Sequence, residues 1–376
     1  MHILNTFDPK YFLDNYWQKQ PVLIKNFFPN FVDPLDEHDL AGLAQENDID
    51  ARIVSQDKHG WQVHSGPFEE YEPLCQGQWS LLVQSVDRYL DEAAELMDAF
   101  DFLPHWRMDD LMVSFSVPGA GVGPHLDQYD VFIIQGKGER HWQVGNKGDY
   151  PIHCPHPKLR QVAGFDPIID AKMQPGDVLY IPPGFPHDGV ACIDSLNYSV
   201  GFRAPNAIEL LNSTLDRPTL PSLFEQRYSD PHIALRQSPE QVNREELARL
   251  KQLMIDAIAQ EDDHWLLTHL SHSHNDHLYS ADNYRQEEIE SMFGADIDVY
   301  PLPGIRALWI APDNADAPYL LAIEGQQFVI PANEFPFVQQ LLHTKHINLS
   351  QSENFSLFFK QFLHKLIASG YWFPDC

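Results

Sequence analysis

The chain has 376 residues, 43% of them apolar, and its 54 acidic against 25 basic side chains give a net charge of −29. That apolar content excludes global disorder, no apolar run approaches the ~18 residues of a membrane span, and MHILNTFDPKYFLDNYW lacks the basic-then-apolar pattern of a secretory leader. The acidity disfavours phosphate backbones and favours a cationic macromolecular partner, while four scattered cysteines without a C-x-x-C fit a reducing cytoplasm and no disulfide framework.

Two or three domains are expected at this length. Residues 9–28, PKYFLDNYWQKQPVLIKNFF, predict a short helix ending before Pro21 and then a strand, VLIKNFF. Acids at the start of PLDEHDLAGLAQEN predict a second helix. Residues 78–97 carry apolar side chains at helical spacing and predict a third. From residue 107 to about 204, short strands and tight turns take over. LMVSFSV sets Met112, Ser114 and Ser116 on one face and Val113, Phe115 and Val117 on the other. DVFIIQ, a GKGE turn and RHWQVG predict a hairpin; GDVLYIP, DGVACI and LNYSVGFRA add further strands. This density predicts a closed or double-layered antiparallel barrel, whose mouth commonly holds a ligand. After Ala204 helices return, and residues 243–260 place Leu247, Leu250, Met254 and Ile258 on one stripe. The last hundred residues mix helix and strand, with helices around 334–343 and 354–369. No internal repeat is visible.

Two strings in the barrel region carry chemistry. In GVGPHLDQYDVF, residues 121–132, a strand would point His125 and Asp127 at one object. In PGDVLYIPPGFPHDG, residues 175–189, a strand runs into a Pro-Gly turn that delivers His187. Two histidines and one carboxylate on one face form the facial triad of non-haem Fe(II) oxygenases, which leaves positions open for a chelating co-substrate and dioxygen. The spacings are G-x5-H-x-D from Gly119 and G-x5-P-x-G-x2-H from Gly176. They resemble the paired motifs of cupin barrels in the variant used by JmjC-type 2-oxoglutarate oxygenases. The blocks YWQKQPVLIKNF, WRMDDLMVSFSVPGAGVGPHLDQYDVFIIQGKGERHW, NYSVGFRAPN and SGYWF extend that resemblance over nearly the full length, to the bacterial ribosomal oxygenases.

The resemblance implies an α+β protein: a double-stranded β-helix (cupin/JmjC barrel) over 1–205, a helical dimerisation region over 206–276 and a winged-helix-like domain over 277–376. It implies His125, Asp127 and His187 as ligands of Fe(II), with 2-oxoglutarate and O2 as co-substrates. The distal carboxylate of 2-oxoglutarate needs a cation, and Arg140, opening the strand after GKGE, can grip it through two parallel bonds. Ser114 or Ser116 can bond the same carboxylate, and Asn197 and Tyr198 are supporting candidates. The implied reaction is hydroxylation of an arginine in a basic large-subunit ribosomal protein, by a cytoplasmic homodimer. Asp109, Asp110 and Asp130 could orient a guanidinium substrate. A JmjC-type demethylase and a cupin metalloenzyme or binding protein not using 2-oxoglutarate stand as alternatives.

Other strings compete for attention. LLTHLSHSHNDH, with His272, His274, Asp276 and His277, resembles the metal signature of the metallo-β-lactamase fold, but a helical pattern precedes it where that fold has a strand; a polar loop is expected. HCPHP, residues 153–157, reads as a structural loop. Beyond residue 276, five basic residues face twelve acids, which argues against direct DNA binding by a winged helix.

Overall fold

A computed structural model describes residues 2–216, 222–231, 242–259, 263–272 and 284–375. It divides into two units, one of Met1–Ala204, His274–Ile305 and His343–Cys376, the other of Pro205–Ser273 and Arg306–Leu342. Among the described residues no helix is long and apolar enough to cross a membrane.

The first unit opens with β1 (Ile3–Leu4), α1 (Pro9–Asn15), β2 (Val22–Ile24) and α2 (Glu37–Leu43). Their starts follow from capping. The Asp8 carboxylate accepts from the Tyr11 amide ahead of Pro9, and Asp36 forms a capping box with Asp39. Then come β3 (Ala51–Asp57), β4 (Gly60–Ser65), β5 (Gln78–Val83), the single turn α3 (Asp91–Ala94), and β6 (Met108–Ser116). Next are β7 (Asp130–Gln135), β8 (Arg140–Gly145), β9 (Ile152–His156) and β10 (Leu159–Val162). β11 (Pro167–Met173), β12 (Val178–Ile181), β13 (His187–Ala191) and β14 (Ser195–Phe202) complete the set.

The strands make a nine-stranded sheet ordered β1-β2-β12-β7-β14-β6-β5-β3-β4, a three-stranded sheet β11-β8-β13 and a β10-β9 ladder. Val131, Ile133, Leu179 and Ile181 of the large sheet share a core with Trp142, Val144 and Ile169 of the small one. The alternate residues Phe132, Ile134, Val178 and Tyr180 join a second core with Phe12, Tyr16 and Leu40. The runs VFII of β7 and VLYI of β12 are continuous because both of their faces are buried. The double-layered barrel expected from the strand density is therefore present.

Three local expectations are corrected. Residues 78–97 are not one helix. QWSLLV also alternates, so Leu81 and Val83 enter the outer core while Ser80 and Leu82 face inward, and pairing with β3 and β6 decides between the two periods. DVFIIQ and RHWQVG are not a hairpin, since β7 pairs with β12 and β14 whereas β8 pairs with β11 and β13. Between them Gly138, at φ 84°, lets the chain pass from one sheet to the other against the Asp194 carbonyl. HCPHP is not a loop but part of β9, paired with β10.

Within the first unit, Asp298–Pro301 pairs with Ile347–Asn348 and with Trp372–Pro374 beside helices Gln286–Met292 and Leu357–Ala368. The second unit holds α4 (Ala207–Leu215), α5 (Arg244–Ala259), Asp263–Ser271 and a three-stranded sheet of Ala307–Ile310, Tyr319–Ile323 and Gln326–Ile330 followed by helix Phe335–Leu342. The C-terminal third is thus shared between the units. The stripe on α5 is exposed: Leu247, Leu250, Met254 and Ile258 all face outward.

Candidate metal centre and its cavity

Two loops bring the predicted triad together. The stretch before β7 carries His125 and Asp127, and a turn delivers His187 to the start of β13. His125 and His187 exchange both backbone hydrogen bonds at 3.0 Å as an isolated antiparallel bridge, and the Gly184 amide donates to the Asp127 carbonyl at 3.1 Å. The ligand atoms of His125, Asp127 and His187 all lie within 4.8 Å of one another. Asp127 Oδ2 is 3.4 Å from His187 Nε2 and 4.0 Å from His125 Nε2. Cis ligands about 2.1 Å from an octahedral ion stand about 3 Å apart, so small side-chain rotations close the site.

The rings are oriented in advance. His125 Nδ1 lies 2.9 Å from the Gly123 carbonyl oxygen and His187 Nδ1 lies 3.0 Å from that of Phe185. Nδ1–H donates to these acceptors, which commits each imidazole to the tautomer whose Nε2 lone pair is free. Burial, reinforced by the neighbouring His187, pushes His125 down to about 4, so it is neutral at physiological pH. Burial opposes charge on Asp127, but in the metal-free pair a proton on His187 Nε2, which Asp127 favours in turn and a bound metal would displace, outweighs it and holds the carboxyl below its usual range. Two neutral nitrogens and one carboxylate oxygen, with one face open to a cavity, form a donor set that fits a divalent transition metal.

The triad lines a cavity of about 560 Å³, together with Ser114, Ser116, Arg140 and Asn197. Arg140 is buried and bonded to hydroxyls. Its Nη2 donates to Ser116 at 2.8 Å and to Ser195 at 3.1 Å, its Nε to Ser195 at 3.2 Å, and its Nη1 to Ser114 at 3.3 Å. Among the described residues no carboxylate is paired with it, and burial alone pushes its pKa down to about 9. A guanidinium held away from water without a counter-charge is costly, and an anion in the cavity offsets that cost. Register explains the cluster: Ser195 pairs with Ser116 and Asn197 with Ser114, so β14 and β6 present their polar faces side by side. Asn197 donates to Gln135 Oε1 at 3.0 Å and leaves its own Oδ1 buried without a partner.

The remaining candidates separate. Asp110 lines the cavity; burial, with Asp109 and Asp87 nearby, pushes it up to about 6, and it accepts from the Ser85 amide at 3.0 Å. Asp109 lies on the same wall, 3.6 Å from Arg203. Asp130 does not face the cavity. It is buried under Tyr180 at 2.6 Å and Arg107 at 3.0 Å, a structural role that β7 imposes by turning position 130 outward. Tyr198 likewise points outward and bonds Asp33 at 2.8 Å. His272 packs beside Gly325, and residues 274–277 lie outside the described residues. Sequence reasoning missed Ser195, Arg52, Tyr129 and Trp142, all but Ser195 in the cavity wall. Ser195 was legible: it sits two before Asn197 on the same strand face.

Comparison with known proteins agrees with this geometry. A JmjC domain model matches residues 95–210. The chain is 43% identical over 372 residues, 96% of both chains, to ribosomal protein uL16 3-hydroxylase of Escherichia coli (strain K12). It is 36% identical over 264 residues, 68% of this chain and 65% of the relative, to a probable ribosomal oxygenase of Haemophilus influenzae. The solved structure of E. coli YcfD matches with a TM-score of 0.86 and 41% identity over 100% of both chains. YcfD described as a ribosomal oxygenase in complex with cobalt and 2-oxoglutarate matches with a TM-score of 0.82 and 40% identity over 99% of both. A His–Asp–His cluster beside a buried arginine, on a barrel matched along its whole length by such relatives, leads to one statement: this chain belongs to the JmjC-domain ribosomal oxygenases.

Proposed function

We propose that the protein is an Fe(II)- and 2-oxoglutarate-dependent dioxygenase that hydroxylates an arginine side chain of ribosomal protein uL16. The observation that carries this reading is the pairing, in one cavity, of a three-ligand cluster with a buried cation lacking a counter-charge. A metal-binding protein that does not use 2-oxoglutarate has no need of that cation. Bound iron and 2-oxoglutarate supply the oxidising power: O2 and 2-oxoglutarate are consumed, succinate and CO2 leave, and one oxygen atom enters a substrate C–H bond.

The chain's own residues bind and orient. Nε2 of His125 and His187 and the carboxylate of Asp127 hold the metal. Arg140, with Ser116, Ser114 and Ser195 fixing its fork, takes the distal carboxylate of 2-oxoglutarate, and Asn197 closes that end of the cavity. Trp142 packs against His187, with ring centroids 6.2 Å apart, and keeps water from the ligand's back face. Asp110 gives an incoming guanidinium its charge partner, which is what favours arginine. Residues 206–276 then serve as a dimerisation region through the α5 stripe, residues 277–376 as a winged-helix-like domain, and the enzyme works on its basic substrate in the cytoplasm.

The experiment is to load the protein with Fe(II), add 2-oxoglutarate, oxygen and purified uL16, and map mass changes by peptide. A gain of one oxygen on an arginine, lost in His125→Ala and in Arg140→Met, is expected. Succinate without any gain on uL16 would discard the substrate and keep the enzyme class; formaldehyde release would replace hydroxylation by demethylation.

A further inference from the structure

Charge is unevenly spread over this chain. Among the described residues the cavity wall takes six of the 25 basic side chains but only four of the 54 acids, Asp50, Asp109, Asp110 and Asp127. Asp127 is committed to the metal and Asp109 faces Arg203 at 3.6 Å. A protein at −29 thus opens onto a wall that is net positive before any metal is bound. At physiological ionic strength the Debye length is about 8 Å, so a small anion at the mouth senses this wall and little of the remote acids.

Two of the six basic residues are set apart by their place. Lys158 and Arg160 are exposed, whereas Arg140 at the closed end is only 5% exposed. They belong to the β9–β10 hairpin, which is fastened to the loop that carries His125. Leu159 is buried beside Val54 and Leu82, Gln161 Nε2 donates to the Val122 carbonyl at 2.8 Å, and the Val162 amide donates to the Pro124 carbonyl at 2.8 Å. With 159 and 161 turned inward, the strand's period of two brings 158 and 160 to the rim. Register gives the depth. Lys158 Nζ donates to Ser65 Oγ at 2.6 Å, and Ser65 pairs with Arg52, Arg52 with Leu82, and Leu82 with Ser114, whose hydroxyl accepts from Arg140. Three strand spacings span about 14 Å. Asp110 lies four residues from Ser114 along β6, about 13 Å in the other direction, so the acids and the hairpin occupy different sides of the mouth.

Charge that merely protects an edge ladder can have either sign. In a chain with twice as many acids as bases, both rim positions of this hairpin are nevertheless cationic. A cationic substrate gains nothing from them, but a dianion that must pass the rim to reach Arg140 does. We propose that Lys158 and Arg160 form an electrostatic guide that draws 2-oxoglutarate into the cavity. This rests on the reading of the protein as a 2-oxoglutarate-dependent enzyme. Standing about 14 Å from the seat at Ser114 and Arg140, the pair acts through its field and not by contact. It therefore sets the rate of entry and leaves the lifetime of the bound complex to Arg140.

The test follows 2-oxoglutarate binding by stopped flow on the full-length, Fe(II)-loaded protein without oxygen, through the visible absorbance gained when the ligand chelates the metal. With Lys158→Glu and Arg160→Glu together, the association rate constant should fall about tenfold at about 0.01 M salt, where the Debye length is about 30 Å. At about 1 M salt, where it is about 3 Å, the ratio to wild type should return to within about twofold. The global charge is nearly common to both proteins, so this ratio isolates the rim. The dissociation rate constant should stay within about twofold throughout. Lys158→Arg with Arg160→Lys should behave as wild type, since a guide needs charge and not a fork. Should the glutamate pair fail to fold, as judged by its melting curve, Lys158→Gln with Arg160→Gln should give a loss of about threefold with the same salt dependence. An unchanged association rate overturns the guide, as does a loss that persists at high salt or one carried by faster dissociation. A raised KM for uL16 with unchanged 2-oxoglutarate entry assigns the rim to the macromolecule and also overturns it. Wild-type protein that binds no 2-oxoglutarate sinks the reading of the enzyme class itself, an outcome distinct from all of these.

Discussion

At the scale of single residues, Asp110 shows how a site costs stability. Burial raises its pKa from 3.8 to about 6, so the fold penalises the ionised form. The stabilisation due to the neutral acid is complete below about pH 4 and is lost as pH rises through about 6. Asp110→Asn is therefore expected to stabilise the protein at pH 8, by about 2 kcal/mol in denaturant titrations. Under the proposed function the same change removes the charge partner of the substrate guanidinium. In wild type kcat/KM for uL16 should climb as Asp110 ionises between pH 5 and 7, and in the asparagine variant that limb should flatten and the plateau fall at least tenfold. A variant that loses activity without losing the pH limb would remove Asp110 from substrate binding. The site's legibility divides at this scale too. His125, Asp127, His187 and Arg140 could be read because each occupies a fixed place in a short string. Arg52 could not, because lining a wall 73 residues from His125 depends on how strands are ordered and not on local spacing.

At the scale of elements, the same limit explains the errors over residues 78–97 and 130–145. QWSLLV fits helical and strand periods alike, and only its neighbours β3 and β6 settle the matter. GKGE has the composition of a hairpin turn, yet Gly136, Lys137 and Glu139 are spent on partners outside it: the Leu196 carbonyl and amide, and the Cys192 amide. Strand pairing between sheets leaves no trace in a turn's composition. Gly138 is the joint of that crossing. At φ 84° any side chain is strained, and a Cβ there would collide with the Asp194 carbonyl. Gly138→Ala should cost about 2–4 kcal/mol in a denaturant titration. It should also raise the KM for 2-oxoglutarate, because Arg140 begins two residues on. By contrast the polar faces of β6 and β14 were readable from alternation alone, since a strand's period of two is local.

At the scale of the whole molecule, the exposed stripe on α5 is the feature that most needs a partner. Met254 is 60% exposed and Leu250 41%, with Ile208 and Leu215 of α4 also uncovered. Light scattering should show wild type as a dimer and the variant with Leu250→Asp and Met254→Asp together as a monomer, while the melting shift given by added 2-oxoglutarate persists. A wild-type monomer at micromolar concentration would end that reading of the stripe. The division into units has a different kind of consequence. The unit that holds the metal centre is assembled from three stretches of chain, the last beginning at His343, and strand Trp372–Pro374 is one of its members. Trp372–Pro374 pairs with Asp298–Pro301, so the unit is completed only when stretches separated along the chain are brought together. Its assembly joins pieces far apart in sequence, which makes it slow.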